Sequence, residues 1–196
     1  MDKDKIVAIA KQLAMDSVVV EYDKIPEIDL YMDQLTTFTE DKLKTYKRRD
    51  DDKILTKTMI NNYSKDKLIP PSTNKKYSRA HMALILMVYH LKGSMAITDI
   101  GTLVGKLRNE DCSFEALYSV FTEIQQMENE RLENEVATKI DSLGKLVEKD
   151  ELPILAIISL IIDANAKRRA AEKILDELVG KIEKKADKKV EKDGKK

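Results

Sequence analysis

Two adjacent prolines, Pro70 and Pro71, constrain this 196-residue chain more than any other feature of it. Proline has no backbone N–H and pushes the residue before it out of the α region, so no helix runs through the pair. The stretches on either side nevertheless have helical spacing. Upstream, Thr56 is placed to cap a helix, its hydroxyl suiting the open N–H groups of a first turn. The turns that follow set Lys57, Thr58, Asn61, Asn62 and Lys65 beside apolar Met59, Ile60 and Tyr63, which predicts a short helix with one wet face. Downstream, residues 72–76 make a polar loop, and Ser78 is placed to cap a second helix that Tyr77 and Met82 can staple. Its apolar positions are Ala83, Leu84, Met87, Val88 and Leu91. Gly93 and Ser94 end it, and Thr98 is placed to cap a third helix from residue 99 to about 104.

Helix, proline corner, basic loop, helix is the element order of a winged helix-turn-helix, and the charge pattern agrees with it. Residues 53–109 hold ten Lys or Arg against two acids, a net of +8. The nets of residues 1–52, 110–152 and 153–196 are −4, −8 and +4. A chain of zero net charge thus gathers its positive excess around the proline corner, as a nucleic-acid reader does. A lysine-bearing surface is also simply a soluble surface, and that reading stays open at this point.

Three runs carry a family resemblance: Leu55-Thr56-Lys57-Thr58-Met59-Ile60-Asn61-Asn62-Tyr63, then Leu68-Ile69-Pro70-Pro71, then Lys75-Lys76-Tyr77-Ser78. Together they resemble the DNA-binding core of the MerR-like regulators, in which a recognition helix leads through such a corner into a wing. Ile97-Thr98-Asp99-Ile100 looks like the start of the helix beyond. From about Asp29 to about Phe121 the chain more closely resembles a bacterial family described as domain of unknown function eighteen thirty-six, most specifically over residues 55–71 and 75–85. That resemblance implies a transcriptional regulator. The chain departs from the MerR-like pattern at Asn61-Asn62-Tyr63, where Arg-Tyr-Tyr is usual, and at Lys75 and Lys76, where the wing carries arginine. Lysine is a point charge without arginine's fork, so phosphate binding survives that exchange better than a fixed geometry does. Asp50-Asp51-Asp52 stands where the motif's compact first helix belongs, and three like charges there repel phosphate.

The rest of the chain predicts helices. Charged residues make up 36% and aromatics only 5%, which favours long helices over sheets. The expected fold class is mainly all-α: a winged helix-turn-helix core with long C-terminal helices. Residues 1–28 should form an N-terminal helix and linker, with Asp2 as cap and Ile6, Ile9, Ala10 and Leu13 on one face. Residues 29–110 should form the winged domain, opening on a helix from Asp29 that ends in Lys47-Arg48-Arg49, favourable against a helix C-terminus. Residues 111–180 should be a helical dimerisation region, its first helix capped by Ser113 and a later one begun by Pro153. Ile154, Leu155, Ile157, Ile158, Leu160, Ile161 and Ile162 make that later helix apolar nearly all round, so it needs cover on more than one side. Ala166, Ala170, Ile174, Leu178 and Val179 continue it as a stripe that suits a subunit contact, though a buried hairpin is the other reading. Residues 181–196, with eight lysines and four acids, are expected to be a disordered charged tail.

The single Cys112 suits a reducing cytoplasm. The first five residues mix both signs and lead into an apolar run shorter than a signal peptide is expected to have, and the apolar run 152–162 falls short of the roughly 20 residues that span a bilayer. A cytoplasmic protein without membrane contact is expected. His81 and His90 lie nine residues apart, not at the spacing of a helical metal pair, and there is no Gly-rich phosphate loop. Neither metal nor cofactor is expected, and no catalytic constellation points to an enzyme. The leading expectation is a dimeric regulator on double-stranded DNA. Asn61, Asn62 and Thr58 would reach base edges, and Lys57, Lys65, Lys75 and Lys76 would hold phosphates. The alternative is a helical protein-interaction adaptor that does not bind DNA.

Overall fold

The computed structural model describes the backbone of residues 1–109, 113–148 and 150–193, and the side chains of those up to 180 apart from 108 and 109. Cys112, the boundary expected after residue 110 and the last three residues of the expected tail lie outside the described residues. Among the described residues the chain is mainly all-α. Seven helices follow one another: α1 (Lys3–Asp16), α2 (Met32–Leu43), α3 (Lys57–Lys65), α4 (Arg79–Leu91), α5 (Ile97–Asn109), α6 (Phe114–Leu143) and α7 (Leu152–Asp193). Two strands of two residues each, β1 (Leu30–Tyr31) and β2 (Lys76–Tyr77), pair antiparallel, with Leu30 opposite Tyr77 and Tyr31 opposite Lys76. The chain divides into two compact units, Met1–Ile157 and Ile158–Lys196. Residues 1–28, expected as an N-terminal helix and linker, lie in the first unit together with the segment after them. No described helix is long and apolar enough to cross a membrane.

Local signals built most of these helices. Asp2 accepts from the backbone N–H of Lys5 at 2.9 Å, Thr56 from Met59 at 3.2 Å and Ser113 from Ala116 at 3.1 Å. Each such cap contributes about 1 kcal/mol by satisfying a donor that has no partner within the helix. At Ser78 the cap is reciprocal, because the backbone N–H of Ser78 donates to Nδ1 of His81 at 3.2 Å.

The core of the first unit forms around α4. Met82, Ala83, Leu84, Ile85, Leu86, Met87 and Val88 are all buried, so this helix is covered on every side. Leu35 and Leu43 of α2, Ile60 and Tyr63 of α3, Ile100 and Val104 of α5 and Tyr118 of α6 close over it. α1 lies antiparallel on the far half of α6. Ile6 and Ala10 are buried there, and Lys3 pairs with Asp141 while Lys11 pairs with Glu133 at 3.7 Å.

Several boundaries differ from the sequence expectation, each for a local reason. α2 stops at Leu43 and continues only as a 3-10 turn, Lys44–Tyr46. The Asp52 carboxylate accepts from the backbone N–H groups of Arg48 and Arg49, at 3.1 and 3.0 Å, which holds that segment in a turn of its own. α5 starts at Ile97, so Thr98 lies inside the first turn instead of capping it. α7 carries helical backbone through Asp193, into the segment expected to be a tail, where Lys, Glu and Ala favour helix without any need of packing.

Within the second unit, α7 is laced by i,i+4 ion pairs. Lys167 meets Asp163 at 3.3 Å, Lys173 meets Glu177 at 3.8 Å, and Arg168 pairs with Glu172. Leu175 is buried, while Ile174 and Leu178 are exposed. Leu152 and Ala156 are buried, but Ile154, Ile157, Ile158, Ile161 and Ile162 are 47 to 63% exposed.

Candidate nucleic-acid interface

Helix α3 separates its residues cleanly. At 100° per residue, Lys57, Thr58, Asn61, Asn62 and Lys65 fall within an arc of about 140°, and all five are exposed. Ile60 and Tyr63 point the other way and are buried. The residue types explain the rotation of the helix: burying either apolar side chain turns the amides and ammonium groups outward.

The helix ends in a tight reversal. Lys67 has φ 59, in the left-handed region, and its N–H donates to the Ser64 carbonyl at 3.2 Å. The N–H of Leu68 reaches back to the Tyr63 carbonyl at 2.9 Å, so the two bonds make a Schellman motif with Leu68 and Tyr63 both buried beneath it. Glycine usually occupies the position that Lys67 holds. After the prolines the chain turns again. Thr73 and Lys76 exchange both backbone hydrogen bonds, at 3.1 and 2.9 Å, around Asn74 and Lys75, which have φ 52 and 63. Two positive-φ residues inside such a pair define a type I′ turn. The polar loop expected over residues 72–76 is thus a short hairpin with Lys75 exposed at its tip, leading into β2.

Both pieces meet the start of α2. The Lys57 ammonium pairs with Asp33 in the first turn of α2. The Lys76 ammonium lies over the ring of Tyr31, 5.1 Å from its centroid. Tyr31 and Asp33 are two residues apart, so Lys57 from α3 and Lys76 from the hairpin are brought to one place. Thr58, Asn61, Asn62 and Lys65 stay on the open face of α3, and Lys75 stays at the tip. The sequence reading missed Tyr31, Asp33 and Lys67 as parts of this surface.

Two of the basic residues around the corner serve the fold instead. The Arg79 guanidinium stacks on Tyr22 at 4.7 Å, donates from Nε to the Tyr22 carbonyl at 3.1 Å and lies 3.5 Å from Glu27. Lys92 donates to the Ile54 carbonyl at 3.1 Å and sits over the Tyr89 ring at 4.9 Å, and burial lowers its pKa. The histidines are structural as well. His81 forms the cap of α4, and His90 lies among the rings of Tyr46, Tyr89 and Phe121, where burial pushes its pKa down to about 4. Tyr63 and Tyr77 are core. Among the described residues no group of three His, Cys, Asp or Glu is placed to hold a metal.

Comparison with protein families matches residues 20–121, just over half of the chain, to Domain of unknown function (DUF1836). The chain belongs to this family. No curated protein and no solved structure matches it. The DUF1836 segment runs from Val20 to Phe121, and its two ends are joined: the Tyr118 hydroxyl donates to the Val20 carbonyl at 2.9 Å in the interior. Every candidate residue on α3 and the hairpin lies inside the DUF1836 segment. α1, α7 and most of α6 lie outside it.

Proposed function

We propose that this protein is a cytoplasmic DNA-binding transcriptional regulator with a MerR-like winged helix-turn-helix core, acting as a dimer. The observation that carries the reading is the exposed face of α3, with amides and cations in one arc beside a hairpin whose tip is Lys75. In this reading α3 enters the major groove. Asn61, flanked by Thr58 and Asn62, pairs with a base edge, since an amide can satisfy adenine's donor and acceptor together. Lys65 and Lys75 hold phosphates, and Lys57 and Lys76 join them by exchanging Asp33 and Tyr31 for the DNA backbone. Lysines in left-handed conformation at positions 67 and 75 support the reading, because a cation stands at each place where glycine is less strained.

The adaptor reading is favoured by one observation: Lys57 and Lys76 already have an acidic and an aromatic partner in the folded chain. Selection of bound fragments from random duplex DNA, followed by titrations at several salt concentrations, separates the two. Asn61→Ala should lose preference for the selected site over a scrambled one by about 1–3 kcal/mol. Lys75→Ala should weaken both duplexes alike and make the salt slope shallower by about one unit. If wild type shows no salt-dependent binding to any duplex, or neither change alters it, the adaptor reading takes its place.

A further inference from the structure

We propose that the cavity beside the proline corner binds a small neutral molecule, an apolar body carrying one hydrogen-bond acceptor of the carbonyl kind. This goes beyond the reading of α3 and does not depend on it, because no residue of the exposed arc takes part.

The cavity lies wholly within the first unit, between Pro70, the start of α4, Leu107 near the end of α5 and Phe114 at the start of α6. Its volume is about 350 Å³. Small-molecule sites begin at roughly 300 Å³, and this one has room for about a dozen heavy atoms. Pro70, Ala80, Leu84, Leu107 and Phe114 make its walls apolar. No charged side chain lines it among the described residues. An ion entering it would lose hydration without gaining a counter-charge, so the cavity selects a neutral guest.

His81, which also lines the cavity, says what that guest carries. The backbone N–H of Ser78 can only donate, and it donates to Nδ1 of His81 at 3.2 Å. Nδ1 is therefore an acceptor, and the ring proton sits on Nε2. The Ser78 hydroxyl, 2.8 Å from Nδ1, lies on the same side of the ring. Nε2 is buried and has no hydrogen-bond partner among the described residues. A buried N–H without an acceptor is costly, and folded proteins rarely leave one. An ordered water needs roughly two to four polar partners, and the side chains of the five apolar residues offer none. A carbonyl oxygen needs only the one donor, and the rest of its molecule fills the apolar space.

The test is titration of the isotope-labelled full chain, followed by nuclear magnetic resonance, with acetophenone, ethylbenzene and benzoate. These share a ring and differ in carrying a neutral acceptor, no acceptor and a charge. Acetophenone should bind with a dissociation constant of about 1 mM, moving the Leu84 amide and the His81 ring nitrogens. Benzoate should bind at least about tenfold more weakly. His81→Glu keeps a capping-box residue at the third helical position and removes the donor. The ratio of acetophenone to ethylbenzene affinity should therefore fall about fivefold in that variant. Ala80 is exposed, and Ala80→Phe, which sets a ring in the cavity, should weaken both guests by about tenfold or more. Absence of acetophenone shifts at Leu84 and His81 by about 5 mM overturns the proposal. So does benzoate binding as tightly as acetophenone, an affinity ratio unchanged in His81→Glu, or binding indifferent to Ala80→Phe. If His81→Glu does not fold, the benzoate comparison and Ala80→Phe decide the matter. None of these outcomes bears on whether α3 reads DNA.

Discussion

His90 shows how one side chain couples the fold to pH. Its ring packs 4.9 Å from Tyr46, 5.4 Å from Tyr89 and 6.0 Å from Phe121, and burial holds its pKa near 4 against an ordinary 6.5. Between those values the unfolded chain binds the proton and the folded chain does not. The contribution is therefore complete above about pH 6.5 and drains away as pH falls toward 4, by roughly 1–3 kcal/mol in all. Urea denaturation at about pH 7.5 and about pH 5 should show this loss in wild type and a smaller one in His90→Phe, whose ring suits the aromatic surroundings without titrating. Equal losses in both would place the pH dependence elsewhere. Residues of this kind were only half legible in the sequence. The spacing of His81 and His90 argued against a metal site, but nothing local said that one would close a cap and the other fill a ring cluster. Tyr89 is the chain neighbour of His90, but the other two rings, Tyr46 and Phe121, come from the turn after α2 and from α6, far from it along the chain.

At the scale of elements, the caps at Asp2, Thr56, Ser78 and Ser113 and the wet face of α3 were legible because they depend on neighbours within four residues. The hairpin was not. Type I′ turns announce themselves as Asn-Gly, and Asn74-Lys75 hides the same geometry behind a residue that rarely adopts it. β1 was invisible for another reason: its two residues become a strand only by pairing with Lys76 and Tyr77, across most of the motif. The same tertiary distance concealed Asp33 and Tyr31 as the groups that receive Lys57 and Lys76. If the tip is held in the left-handed region, Lys75→Gly should stabilise the protein by about 0.5–1 kcal/mol, while Lys75→Ala should leave stability nearly unchanged. Urea midpoints of the two variants check this, and a Lys75→Gly variant less stable than wild type would argue against the turn. The pair also serves the DNA titrations, since both remove the charge and only one relaxes the backbone.

At the scale of the whole molecule, a buried hydrogen bond helps to join the two ends of the DUF1836 segment, beside the ring contact of Tyr22 with Tyr118. The Tyr118 hydroxyl is the partner of the Val20 carbonyl, and burial raises the phenol's pKa well above its ordinary value, so it remains a donor. Tyr118→Phe keeps the ring and strands the carbonyl, which should cost about 1–3 kcal/mol in urea unfolding. A loss below about 0.5 kcal/mol would mean that water reaches that carbonyl and replaces the bond. The sequence placed positive charge around the corner and negative charge on both flanks, which was enough to locate the candidate surface within the fold. It could not show that residues 20–30 and 114–121 complete the core around it.

That bond spans 98 residues, and its consequence concerns time. While the chain is being made, α2 to α5 leave the ribosome before their last packing partner exists. At roughly 5–20 residues per second, α4 waits seconds with its apolar surface incompletely covered. Closure then depends on contacts between the two ends of the segment, the long-range kind that slows folding. The nascent protein is thus most exposed to proteases and to aggregation just before Tyr118 emerges.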